Sequence, residues 1–136
     1  MKWLRRILSP LRRPSRDSDR GGSVPIELDP GYLCAVPSEE GGYQIAKVLV
    51  LDERAVHIRL YANRFTELPT HVDPDTLTLG IIEDPADPGD FGIGHMPISV
   101  RSFMLWQPKL IQIEPVEEEE LEGFRIWQEA HGGVFN

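Results

Sequence analysis

The sequence predicts an α+β domain, a mostly antiparallel twisted sheet or small open barrel with one packed C-terminal helix. Three observations carry this. Residues 55–63 alternate strictly, with Val56, Ile58, Leu60 and Ala62 on one side and His57, Arg59, Tyr61 and Asn63 on the other. That period of two belongs to a strand with one core face and one wet face. The connections before it, around Glu39–Gly42 and Asp52–Arg54, are too short for a crossover helix, so the strands they join run antiparallel. Finally, Leu121, Phe124 and Trp127 fall three apart behind an acidic first turn at Glu117–Glu120, the pattern of an amphipathic helix whose start suits its dipole.

The elements follow in chain order. Gly31–Pro37 is a short apolar run closed by proline, the first strand. Paired glycines in Glu39–Gly42 supply the positive φ of a turn. Tyr43–Leu51 is the second strand, alternating at its start and apolar on both faces at Val48–Leu51, as a central strand is. The third is Ala55–Asn63. A fourth is expected over Leu77–Ile82, interrupted by Gly80, and Glu83–Gly94 is a loop broken by Asp-Pro pairs and spaced glycines. Ser99 is placed to cap a short helix running to Trp106, before Pro108. Ile111–Ile113 is an edge strand. Pro115 opens the last helix, and Gly132-Gly133 stops it.

Charge divides the chain. Residues 1–20 hold seven basic and two acidic side chains, a net +5, while the remaining 116 residues hold seven basic and twenty acidic ones, a net −13. We therefore read residues 1–25 as a basic arm and flexible linker and 26–136 as a single acidic globular domain. The body repels nucleic acid, which demands clustered Lys and Arg, and attracts a basic protein partner. In the arm, Trp3, Leu4, Ile7, Leu8 and Leu11 form an amphipathic stripe opposite Lys2, Arg5, Arg6, Arg12 and Arg13. Residues 1–14 thus suit an anionic membrane surface, with Trp3, Leu4, Ile7 and Leu8 as the contact residues. Pro10 and Pro14 cut that helix to about two turns, too short to stand alone in water. Arg5 and Arg6 break the apolar run before a secretory signal forms, so cytoplasmic residence is expected, with the inner membrane surface as the alternative site.

Few residues carry recognisable chemistry. His57, His71, His95 and His131 share no metal-pair spacing, and with one cysteine no metal site and no cofactor are expected. Phe91–His95 carries two spaced glycines but neither the third glycine of a dinucleotide fingerprint nor the lysine of a P-loop. A small enzyme built on His95 and the Gly92–Gly94 loop is an alternative reading, in which Cys34 would need His57 or His95 to fold close as its base, while Ser99 lacks the GxSxG elbow. Asp84, Asp87 and Asp90 lie in a proline-rich loop that reads as solvated carboxylates. On the wet face of the third strand, His57, Arg59 and Tyr61 line one strip, and Tyr and Arg are the types that dominate interfaces.

Gly31-Tyr-Leu-Cys-Ala-Val-Pro37 and Gly42-Tyr-Gln-Ile-Ala-Lys-Val-Leu49 together resemble the opening of a class of small β-rich bacterial immunity proteins that accompany polymorphic toxins. The resemblance covers about twenty residues and implies a non-enzymatic cytoplasmic protein that neutralises a toxin by tight binding. It carries over no functional residue. Combined with the acidic body, it suggests a protein-binding module that occludes a basic toxin through His57, Arg59, Tyr61, Asp84, Asp87 and Asp90. The rival readings are a peripheral membrane or scaffold protein attached through the arm, and the small enzyme above.

Overall fold

The computed structural model describes residues 27–80 and 92–136. Five strands form one open antiparallel sheet in the order β4-β3-β2-β1-β5: β1 Tyr32–Pro37, β2 Tyr43–Leu51, β3 Val56–Leu60, β4 Ile93–Ile98 and β5 Lys109–Ile113. Helix α1 spans Val100–Met104, and α2 spans Glu122–Glu129 behind a 3₁₀ turn at Glu118–Leu121. No helix among the described residues is long and apolar enough to cross a membrane. The fold class is the one the sequence predicts, in its open-sheet form.

The β1–β2 turn depends on glycine. Gly41 and Gly42 both take positive φ, and a Cβ on Gly42 would stand 2.3 Å from the Phe65 carbonyl oxygen. The β2–β3 turn depends on Asp52, whose Oδ1 accepts from the Arg54 and Ala55 backbone N–H groups at 2.8 Å each. Both turns are short because local hydrogen bonds replace ladder bonds at the reversal.

The first face of the sheet holds the larger apolar core. Val36, Ala46, Val48, Val56, Ile58, Leu60, Met96 and Ile98 meet Phe103 and Trp106, which α1 lays across them. Ser99 caps α1 by accepting from the Ser102 N–H at 3.1 Å, and Phe103 and Trp106 pack edge to face. The second face has a smaller core, where Leu33, Ala35, Ile45, Tyr61 and Val72 are covered by Phe65, Leu77 and Leu79 from the long β3–β4 connection. The Gln112 side chain pins that connection to β5, accepting from the Val72 N–H at 2.8 Å and donating to the Val72 carbonyl at 3.0 Å.

Several expectations need correction. The polar face of β3 is not wet: His57 is 0% exposed, Tyr61 is buried and Arg59 is half-buried, because the 3₁₀ turn, α2 and the β3–β4 connection cover the second face. The strand ends at Leu60 instead of Asn63. Beyond it Ala62 N–H donates to the Thr78 carbonyl, and the Asn63 amide bridges Thr76 and Thr78. Leu77–Gly80 is irregular, with Gly80 at φ 72°, and the rest of the expected fourth strand lies outside the described residues.

Ile93–Ile98 is a strand despite Gly94 and Pro97. It lies at an edge, where a proline's missing N–H costs no ladder bond. On its outer side Phe135 N–H donates to the Pro97 carbonyl and the Phe135 carbonyl accepts from Ser99 N–H. The final helix begins later than Pro115. Leu121, Phe124 and Trp127 are half-buried, and the left-handed residue at the helix end is His131 (φ 52°), not a glycine. Gly132 serves instead as the bare surface on which the Trp127 ring rests, since a Cβ there would lie 2.2 Å from that ring.

Phe103 is the largest fully buried side chain of the core. Phe103→Ala should lower the unfolding free energy by about 3–5 kcal/mol, read as a lower urea midpoint at unchanged slope.

Candidate functional site

The second face carries a buried polar strip beneath the 3₁₀ turn and α2. One half centres on Lys47 of β2. Its ammonium donates to Glu120 Oε1 at 2.9 Å and to the Pro115 carbonyl at 2.8 Å, and the two side chains are only 6% and 9% exposed. Glu120 is fully engaged. Oε1 also accepts from the Glu117 N–H at 2.8 Å, closing the cap of the 3₁₀ turn, and Oε2 accepts from the Tyr61 hydroxyl at 3.5 Å. Burial alone pushes the Glu120 carboxyl upward, but the Glu117 N–H, the Lys47 bond and the charges of Lys47 and Arg59 outweigh it and hold the group below its ordinary value. Burial, with the Glu120 charge adding to it, raises Tyr61 to about 12. It stays a neutral donor.

The other half is a line of three side chains running from exposed Asp52 through fully buried His57 to half-buried His95. Asp52, in the β2–β3 turn, approaches His57 Nε2 at 2.7 Å, and His57 Nδ1 meets His95 Nε2 at 2.9 Å. The two imidazole planes differ by 9° and their centroids are 5.1 Å apart, so the rings meet edge to edge in nearly one plane. Asp52 feels the desolvation of its site, yet its bonds to His57, Arg54 and Ala55 lower its carboxyl net below the ordinary value. An ionised carboxylate only accepts, so the hydrogen on that side sits on His57 Nε2. Burial, reinforced by the neighbouring His57, depresses His95 from 6.5 to about 4.

Phe124 and Trp127 of α2 close over both rings. Their centroids lie 4.7 and 4.6 Å from that of His57 in steep edge contacts, and 6.2 and 6.1 Å from that of His95. Gly123 lets the helix backbone come this near: a Cβ there would lie 2.7 Å from the His95 Cβ. The Trp127 Nε1–H donates to the Gly133 carbonyl at 2.8 Å, fastening the ring to the chain after the helix.

The outward side of α2 differs in kind. Ile126 is 61% exposed, and Glu119, Glu122 and Glu129 are exposed at seven and four residues before it and three after it. Those spacings put Glu122, Ile126 and Glu129 on one stripe of α2, with Glu119 exposed in the 3₁₀ turn just before it. Arg125 and Glu118 form an exposed ion pair alongside.

The sequence-predicted strip of His57, Arg59 and Tyr61 is thus real as a juxtaposition but lies under a lid instead of facing solvent. Arg59 Nε donates to the Gly94 carbonyl at 3.3 Å. The structure joins His95 to this strip through His57. Asp84, Asp87 and Asp90, and the arm residues Trp3, Leu4, Ile7 and Leu8, lie outside the described residues. Burial raises the Cys34 thiol to about 12, so it is inert as a nucleophile at neutral pH. Among the described residues no group of three or more His, Cys, Asp or Glu is placed to hold a metal ion. Asp52, Lys47 and Glu120 escaped sequence reasoning. Each sits in a pattern with an ordinary local meaning (a turn, a strand, an acidic helix start), and Lys47 and Glu120 are 73 residues apart.

Breaking one side of a buried ion pair strands the other charge. Lys47→Met should destabilise the protein by about 3–5 kcal/mol, and adding Glu120→Gln should return part of that loss. Urea unfolding of the two single variants and the double variant measures the coupling. A loss in the double variant equal to the sum of the two single losses would leave the pair without energetic consequence.

Comparison with protein-family models, with characterised proteins and with solved structures finds no match to this chain.

Proposed function

We propose that this chain is a non-enzymatic protein-binding module whose docking face is the outward stripe of α2, and that its occupant is a basic protein. The observation that carries the reading is Ile126, a large apolar side chain left 61% exposed on a helix whose other apolar residues turn inward. It stands among Glu119, Glu122 and Glu129, so an apolar anchor is ringed by carboxylates. Such an arrangement suits a partner presenting an apolar pocket rimmed by Lys and Arg, where the anchor supplies affinity and the rim supplies steering. The net −13 of residues 21–136, to which Asp84, Asp87 and Asp90 contribute, extends the same field. In its narrower form the partner is a basic toxin and the chain its immunity protein, acting by occlusion. The resemblance across Gly31–Leu49 supports that form. The α2 stripe takes over the contact role that the sequence assigned to His57, Arg59 and Tyr61.

The test is capture of a basic protein from the native lysate, its purification, and binding kinetics against three forms of the chain. Ile126→Asp should raise the dissociation constant at least about tenfold, chiefly through faster dissociation. Reversing Glu122 and Glu129 to Lys should slow association about tenfold at low salt and flatten its salt dependence. A partner that binds all three forms alike would move the docking face elsewhere.

A further inference from the structure

His57 and His95 share a single hydrogen bond, and a single proton fills it. Asp52 holds a hydrogen on His57 Nε2, and the facing nitrogens stand 2.9 Å apart. The neutral pair therefore carries two hydrogens, one against Asp52 and one between the rings. A third fits on His95 Nδ1 and leaves every bond intact. A fourth would set N–H against N–H across the gap, so a doubly protonated pair cannot keep this geometry. The His57 ring has nowhere to turn, because it is fully buried and Phe124 and Trp127 lie across it. The half-buried His95 meets α2 at Gly123, where a Cβ would lie 2.7 Å from its own. Displacing His57 displaces α2.

We propose that the Asp52–His57–His95 line is an acid-operated latch: neutral or singly protonated, the histidine pair seats α2, and doubly protonated it releases the helix together with its Ile126 stripe. The function of the latch rests on the docking reading above, since it regulates that same face. The charged groups around the pair are few. The β2–β3 turn contributes Asp52. Strand β3 contributes Arg59, tied to the Gly94 carbonyl, and β2 contributes Lys47, tied to Glu120. Helix α2 turns Phe124 and Trp127 toward the rings, while Glu122, Arg125 and Glu129, and His131 just past it, are exposed.

The direction of the pH effect follows from linkage. His95 titrates lower when the helix is seated than when it is free, so the released form binds more protons between about 6.5 and about 4. Seating is thus fully favoured above the upper value and lost as pH falls through that window. Glu120 behaves oppositely in kind: its carboxyl is held below its ordinary value, so its stabilising effect disappears only in stronger acid. The 3₁₀ turn therefore stays anchored to Lys47 while α2 swings from the Leu121–Glu122 junction.

The experiment is an amide and imidazole ¹⁵N NMR titration of the full chain, without partner, from about pH 7.5 to about pH 4. Backbone resonances of residues 122–130 should leave their seated positions below the upper end of the window, as the second proton enters the histidine pair, while those of β1 and β2 hold. In His95→Gln, whose amide can still donate to His57 Nδ1 but cannot be protonated, the helix transition should move down by at least about one pH unit. Helix and sheet resonances moving together, both imidazole rings protonated with the helix still seated, or an unchanged midpoint in His95→Gln would each overturn the latch. The two ring transitions and the helix transition of the unsubstituted chain decide the matter even if the variant fails to fold. Partner binding near pH 7 judges the docking reading separately, because the latch is read without any partner.

Discussion

A lysine in the middle of a central strand sets the terms for this fold. Lys47 stands on β2 with its ammonium on a face that the chain buries, and an unpaired charge there would cost several kcal/mol. Glu120 answers it, and by doing so fixes where the chain after β5 must cross the sheet. The same carboxylate caps its own 3₁₀ turn through the Glu117 N–H and accepts from the Tyr61 hydroxyl. One side chain therefore couples charge compensation, helix initiation and the placement of α2. With α2 so placed, Phe124 and Trp127 reach the histidine pair, and Ile126 is left outside.

The two faces of the sheet solve burial differently. The first is apolar and closed by a five-residue helix, whose Phe103 packs there together with Trp106 just past its end. The second mixes a small apolar cluster with polar groups that each find a partner: Gln112 on the Val72 backbone, Lys47 on Glu120, Asp52 on His57. An apolar face tolerates any filler of suitable volume. A polar face accepts only the geometry that satisfies every donor and acceptor, which is why the second face is the more specific of the two and the more sensitive to protonation.

That difference also explains what the sequence made legible. The first two strands, their glycine turn, the Ser99 cap and the edge strand before Pro115 all rest on local rules, and all appear where those rules put them. The third strand's alternation correctly separated Val56, Ile58 and Leu60 from His57, Arg59 and Tyr61. Period two says that the sides differ, however, and not that one of them meets water. Whether His57 is wet depends on Phe124 and Trp127, almost seventy residues on, and no local pattern carries that. Strand β4 hid behind Gly94 and Pro97, residues that break central strands but are harmless at an edge. The candidate site shared this fate: His57 and His95 were visible singly, while Asp52 as their orienter and Gly123 as the space for a helix were visible only once the chain closed on itself.

The two edges of the sheet are unequal, and this bears on how copies of the chain meet. At β4, Pro97 lacks an N–H and its carbonyl is taken by Phe135, so that margin offers little to a further strand. At β5 the outer margin of Lys109–Ile113 has no neighbouring strand among the described residues, with Ile113 61% exposed on it. A fibre built by strand pairing needs two adhesive margins on every subunit, one to receive and one to offer. Among the described residues only one margin is open in this way, so pairing through it alone joins two copies and no more.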